Sequence, residues 1–170
     1  MPPVKDGYLA GIKDVFTCEI VGYAMSDRMT TELTSKALRR AFQSKRLAPG
    51  LIHDSDHCSQ YCAHSYVALL NQFGMKVTMS RKGNCYDNAP MESLWGSLKN
   101  ELIYHRQFQT RTAPEEAIQK HIEIFYNRQR RHSRLGNIAP AIFAEKFSKE
   151  QKAVSNWSDH IDRSPHQSQT

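Results

Sequence analysis

Between residues 88 and 103, Met91, Trp95, Leu98 and Leu102 recur at helical spacing. Residues three and four apart lie on one face of a helix, so these four form a continuous apolar stripe. Such a stripe is stable only against another layer of structure, which the rest of the chain has to supply. The edge of the same helix carries Glu92, and Lys99 follows two turns later, so Glu92, Gly96 and Lys99 share a side. Pro90 is tolerable in the first turn after Asn88.

The remaining segments read as alternating strands and helices. Residues 8–16 are rich in aromatic and β-branched side chains and predict a strand, with Thr17-Cys18-Glu19 as the turn and residues 20–25 as the partner. Thr30 or Thr31 can cap a helix reaching about Lys45, with Leu33, Ala37, Leu38, Ala41 and Phe42 on its apolar face and Pro49-Gly50 beyond its end. A short strand over 51–55 follows, then a helix over about 64–73 with Gly74 at its C-terminal cap, then a strand over 75–79. Residues 80–87 are polar, contain Gly83 and Asn84, and read as a loop. Thr112-Ala-Pro-Glu115 is a capping box for a helix with Ile118, Ile122 and Phe125 that reaches about Arg131. This order predicts an α/β fold, a mixed sheet flanked by helices, over residues 1–147. Residues 148–170 are polar and are expected to form a disordered tail.

The strand over 51–55 delivers Asp56, and thirty-five residues separate Asp56 from Glu92. Two carboxylates held close can share a divalent cation, which activates water and neutralises phosphate charge. A carboxylate pair alone is a weak signal, because strand ends and helix surfaces are ordinary places for Asp and Glu. Four cysteines, at 18, 58, 62 and 85, include no C-x-x-C pair. Cys58, Cys62 and His64, with His53 and His57 nearby, match no zinc-finger spacing, so reduced thiols are expected.

The net charge of +6 and pI of about 9.2 suit a polyanionic partner. The cations concentrate in Arg128, Arg130, Arg131 and His132. Such a cluster either complements a helix C-terminus or contacts phosphates beside the aromatic Tyr126. No apolar run reaches membrane-spanning length and no signal-peptide pattern opens the chain, so a cytoplasmic protein is expected.

Several stretches occur together in a distinctive order. They are Asp54-Ser-Asp56 with Ser59-Gln-Tyr61; Ser80-Arg-Lys-Gly-Asn-Cys-Tyr-Asp-Asn-Ala-Pro-Met-Glu92-Ser; Lys99; and Tyr126-Asn-Arg-Gln-Arg-Arg-His132-Ser. Over roughly residues 7–147 the chain resembles the catalytic core of the Asp-Asp-Glu transposases and retroviral-type integrases, in particular that of insertion-sequence transposases. The resemblance implies a ribonuclease-H-like fold and metal-dependent phosphoryl transfer on DNA, with Mg²⁺ or Mn²⁺ as cofactor. It implies Asp56 and Glu92 as catalytic metal ligands, and DNA contacts from Lys99, Arg128, Arg130, Arg131 and His132. The partners implied are transposon-end and target DNA, with a homo-oligomer or an intact transposase as the protein partner.

The resemblance also implies a first catalytic Asp on a strand preceding Tyr8, and no such strand with a central Asp stands in this chain. The expectation is therefore a core lacking its first strand at the N-terminus and inactive in isolation. His57-Cys58 follows Asp56 where the family more often has Arg-Gly. Two other readings stay open: a non-catalytic DNA-binding or regulatory fragment acting beside an intact transposase, and a metal nuclease built on Asp14 with Asp56 and Glu92.

Overall fold

The computed structural model describes residues 3–4, 7–45, 47, 49–55, 59–79, 85–103 and 113–161. Strand β1 (Pro3–Val4) pairs antiparallel with β2 (Gly7–Lys13), which pairs antiparallel with β3 (Ile20–Ser26). Helix α1 (Thr31–Lys45) follows. Strands β4 (Ile52–Ser55) and β5 (Lys76–Met79) are parallel, joined through α2 (His64–Gln72), as a parallel pair requires a crossover. Strands of both senses are thus present, divided between a three-stranded and a two-stranded sheet.

The β2–β3 connection is built by Asp14. One carboxylate oxygen accepts from the Phe16 N–H at 2.9 Å and the other from the Thr17 hydroxyl at 2.7 Å. This local side-chain-to-backbone bonding is what makes Asp a turn former. Both oxygens of Asp14 thus serve the turn. Cys18 adopts φ 61°, and its side chain is buried.

The two faces of β2 and β3 alternate, as strand geometry dictates. On one face Ala10, Ala24, Leu33 and Ala37 form a cluster against α1. Gly22 belongs to this face: a Cβ there would lie 2.4 Å from the Ala37 carbonyl oxygen and 2.6 Å from the Ala41 nitrogen, so only glycine lets α1 approach so closely. On the other face Leu9 and Ile20 pack with Leu94, Leu98, Leu102, Ile118, Ile122 and Tyr126. A third cluster joins Leu38 of α1 to Tyr66, Leu69, Leu70 and Met75 around α2, with Phe42 stacked on Phe73 at 3.8 Å. Gly74 has φ 68°, the left-handed conformation expected at that helix end.

Helix α3 (Cys85–Leu98) continues into a π-helical segment, Lys99–Ile103. It begins three residues before the expected start at Asn88. Pro90 consequently stands past the first turn. Residues 80–84 of the expected loop lie outside the described residues. Helix α4 (Ala113–Lys120) likewise runs into a π-helical segment, His121–Gln129. Thr112 of the expected capping box lies outside the described residues.

Three side chains bind the outer edge of β3. Asn127 accepts from the Ile20 N–H and donates to the Ile20 carbonyl, both at 3.0 Å. The Ser44 hydroxyl donates to the Val21 carbonyl at 2.7 Å, and Arg40 donates to the Tyr23 carbonyl at 2.9 Å.

Helix α5 (Pro140–Ile161) docks Phe143 and Phe147 edge-on against Phe16 of the β2–β3 turn, at 5.5 and 4.7 Å. The stretch expected as a disordered tail from residue 148 is therefore helical over 148–161. The run Lys149-Glu-Gln-Lys-Ala has high helix propensity and simply extends a helix already nucleated by packed aromatics. Among the described residues no helix is long and apolar enough to cross a membrane.

Candidate metal and DNA-contacting site

Glu92 lies on α3 with its carboxylate exposed. Its position is set by its neighbours. Leu94, Leu98 and Leu102 are fully buried in the core, and Met91 and Trp95 pack at its margin. The expected stripe of Met91, Trp95, Leu98 and Leu102 is therefore centred on Leu94 and Leu98, with Met91 and Trp95 flanking. Trp95 lies over Gly11 of β2, where a Cβ would come within 3.0 Å of the ring. Close contact between a rigid indole and bare backbone fixes the rotation of α3, and with it the direction in which Glu92 projects. Lys99 is half-buried. The wider π turn begins at Lys99, so the α-helical two-turn spacing from Glu92 survives up to Leu98.

Asp56, His57 and Cys58 lie outside the described residues, so the expected closeness of Asp56 to Glu92 does too. The strand leading to Asp56 forms as expected, one residue shorter at its start. Within it His53 is buried, and the Tyr66 hydroxyl sits 3.2 Å from its Nε2. Burial holds the His53 pKa below its ordinary value, partly opposed by Asp54, and the ring shares a hydrogen bond with the Tyr66 hydroxyl. Asp54 accepts from the Thr78 hydroxyl at 2.9 Å, tying β4 to β5. Among the described residues no three His, Cys, Asp or Glu side chains converge on a metal position. Glu92 itself offers the exposed, hard oxygen donor that Mg²⁺ and Mn²⁺ accept.

The structure separates the residues of the basic run. Arg130 is half-buried and ion-paired with Glu101 of the π segment, whose other oxygen is 3.8 Å from His121 Nε2. Arg128 is exposed and lines a groove of mixed charge, with Glu19, Glu115, Glu116 and Glu123 alongside Arg40 and Lys45. Arg131 is exposed. His132 packs edge-on against Tyr126 at 5.1 Å, and its buried Nε2 has no hydrogen-bond partner among the described residues. The loop that presents His132 is fixed by its own main chain: the His132 N–H bonds the Ile138 carbonyl, and its carbonyl accepts from Leu135 and Asn137.

Two further cations were not apparent as site residues in the sequence. Lys13, at the end of β2, places its ammonium 5.9 Å from the centre of the Tyr126 ring. Arg134 stands in the short 3₁₀ turn Ser133–Leu135 that follows His132. Burial lowers the Lys13 pKa, opposed by Cys18 and reinforced by Arg134 and Arg130. Burial also lowers that of His132, reinforced by Lys13 and Arg130. Burial, foremost, pushes the Tyr126 hydroxyl up to about 12. Lys13 and the arginines are separated by more than a hundred residues, so no local sequence signal could pair them.

Two family models, each described as an integrase core domain, match residues 2–85 and 73–140. The chain is 64% identical over 140 residues to an insertion element IS600 uncharacterized 31 kDa protein of Shigella sonnei, covering 82% of this chain and 52% of that protein. It is 44% identical over 148 residues to the transposase for insertion sequence element IS904 of Lactococcus lactis, covering 86% of this chain and 58% of that protein. It is 38% identical over 139 residues to transposase InsF for insertion sequence IS3A of Escherichia coli, covering 82% of this chain and 48% of that protein. The chain thus spans about half the length of these relatives. Its fold is shared with a chain of the simian T-cell lymphotropic virus intasome, solved in complex with PP2A regulatory subunit B56 gamma. That match has a TM-score of 0.52 and 14% identity, covering 69% of this chain and 47% of that one. The mixed α/β architecture, the stripe that mounts Glu92 and matches running from residue 2 to 140 lead to one conclusion: this chain belongs to the integrase core domain family, with insertion-sequence transposases among its relatives.

Proposed function

We propose that the chain forms part of a transposase catalytic core that cuts and joins DNA by metal-dependent phosphoryl transfer. The observation that supports this reading best is the mounting of Glu92. An exposed carboxylate sits on a helix whose rotation is locked by Trp95 on Gly11 and by three buried leucines. Preorganised carboxylates are what a phosphoryl-transfer site needs, because catalysis there is chiefly positioning and charge stabilisation. Glu92 and Asp56 would hold Mg²⁺ or Mn²⁺, which supplies charge neutralisation at the phosphate and an activated oxygen nucleophile. Glu92 orients the site, and Lys99, seven residues on, holds the DNA backbone beside it. The protein partner is a further copy of the chain or an intact transposase.

A non-catalytic DNA-binding or regulatory role beside an intact transposase is the second reading. It is favoured by the basic side chains that meet at Tyr126, Lys13 over the ring and His132 against its edge. Mn²⁺ binding followed by electron paramagnetic resonance, together with DNA nicking and joining assays, tests the first reading. Glu92→Gln and Asp56→Asn are each expected to abolish ordered Mn²⁺ binding while leaving DNA affinity intact. Mn²⁺ binding that survives both substitutions would sink the metal site and leave the second reading.

A further inference from the structure

Glu101 stands between Leu98 and Leu102, two of the buried leucines that seat the helix bearing Glu92. Its two oxygens serve the two ends of the second π segment. Oε1 accepts from Arg130, which caps the C-terminal end of His121–Gln129, and Oε2 lies 3.8 Å from Nε2 of His121, its first residue. That segment is itself fastened to the sheet. Asn127 makes two hydrogen bonds to the Ile20 main chain, and the Tyr23 hydroxyl donates to Glu123 at 2.6 Å. A series of directional contacts thus runs from β3, through the second π segment, to the first π segment that extends α3.

Apolar burial is non-directional, so a leucine stripe alone lets a helix tilt or slide while it stays buried. The Trp95 ring over Gly11 fixes one point on α3, three residues past Glu92. A helix direction needs a second point. Hydrogen bonds between a guanidinium and a carboxylate are both strong and directional, and Glu101 makes one six residues beyond Trp95. The side chains of this pair are 29% and 35% exposed, so water screens it and it adds little to stability. Its effect lies in orientation.

We propose that Glu101 is a positioning residue: with Arg130 it holds the far end of the Glu92 helix against the second π segment, and so sets where Glu92 and Lys99 stand. Arg130, in the middle of the basic run, acts through Glu101 and not on a phosphate. The proposal rests on the phosphoryl-transfer reading above and deepens it, because residues that orient a ligand carboxylate tune metal affinity without touching the ion.

The experiment labels the full chain with fluorotryptophan at its two tryptophans, Trp95 and Trp157, and uses Trp157→Phe to assign the signals. The fluorine resonance of Trp95 reports how α3 sits on Gly11 and needs neither metal nor DNA. Mn²⁺ binding by electron paramagnetic resonance and the salt dependence of duplex DNA affinity are measured alongside. In Glu101→Gln and in Arg130→Gln the Trp95 resonance should broaden or split, and Mn²⁺ binding should weaken by about tenfold. The slope of log affinity against log salt should stay unchanged in both. Glu101→Gln combined with Arg130→Gln should be no worse than either alone, as two members of one contact require. Exchanging the charges, Glu101→Arg with Arg130→Glu, should restore a single resonance and most of the Mn²⁺ binding, which a merely destabilised fold cannot do. A wild-type Trp95 resonance in both single variants overturns the proposal. So does a slope flattened by about 1 unit in Arg130→Gln alone, the mark of a lost phosphate contact. If the unsubstituted chain binds neither Mn²⁺ nor DNA, the phosphoryl-transfer reading falls, and the Trp95 resonance still decides whether Glu101 and Arg130 set the helix.

Discussion

On the α1 side of the β2–β3 hairpin, the contacts are made by Ala10, Gly22, Ala24, Ala37 and Ala41. On the α3 side they are made by Leu9, Ile20, Trp95, Leu98 and Tyr126. The first face brings two backbones nearly into contact, so its geometry is set by main-chain atoms that cannot yield. The second face is filled by long side chains, so an added methyl there meets side-chain rather than main-chain atoms. The sheet is consequently held on its back by backbone against backbone, and on its front by side chains that seat the functional helix in one rotation. Close packing penalises added volume most where the neighbours are backbone.

The same chemical change on the two faces should therefore have different costs. Gly22→Ala drives a Cβ into the α1 backbone and is expected to destabilise the chain by about 3 kcal/mol or more, read as a lower denaturant midpoint. Asn127→Ala removes the two bonds that join the π segment to Ile20 and should cost about 2 kcal/mol. Gly11→Ala meets only the far end of the Trp95 ring and should cost about 1 kcal/mol, largely recovered by adding Trp95→Phe. Equal losses from Gly11→Ala and Gly22→Ala would erase the distinction between the faces.

The smallest effect lies away from both faces, at His53. Its folded pKa is depressed by burial, so the unfolded chain binds the extra proton more readily. The stability it contributes is present above the unfolded histidine pKa and is lost as pH falls toward the folded one. Urea unfolding on either side of that range should show a lower midpoint in acid, and His53→Gln should reduce the difference.

The parts of this fold with short-range signatures were legible in the sequence. The β2–β3 hairpin, α1, α2 with its Gly74 cap, and β4 and β5 all follow from periodicity and punctuation, within a few residues. So did the helix bearing Glu92, because Leu98 and Leu102 can be satisfied only in a core. The π segments were not legible, since widening a turn leaves no mark on residue choice at this length. Extension of α5 past residue 147 was missed because its polar face suggested a tail, whereas Phe143 and Phe147 had already anchored the helix. Around Tyr126 the sequence offered only the run of cations that ends in His132. The pairing of Arg130 with Glu101 was not legible, nor was the approach of Lys13 to Tyr126, because each depends on a contact between distant segments.

The three side chains bound along β3 bear on how this protein behaves at high concentration. A bare strand edge is a template on which other chains can stack into fibrils. Here the Ile20 main chain and the Val21 and Tyr23 carbonyls already have partners in Asn127, Ser44 and Arg40. A neighbouring molecule would have to strip away an amide, a hydroxyl and a guanidinium before it could stack on this border. Removing those three side chains together should shorten the lag before thioflavin-reactive aggregates form, even under conditions where the fold itself survives.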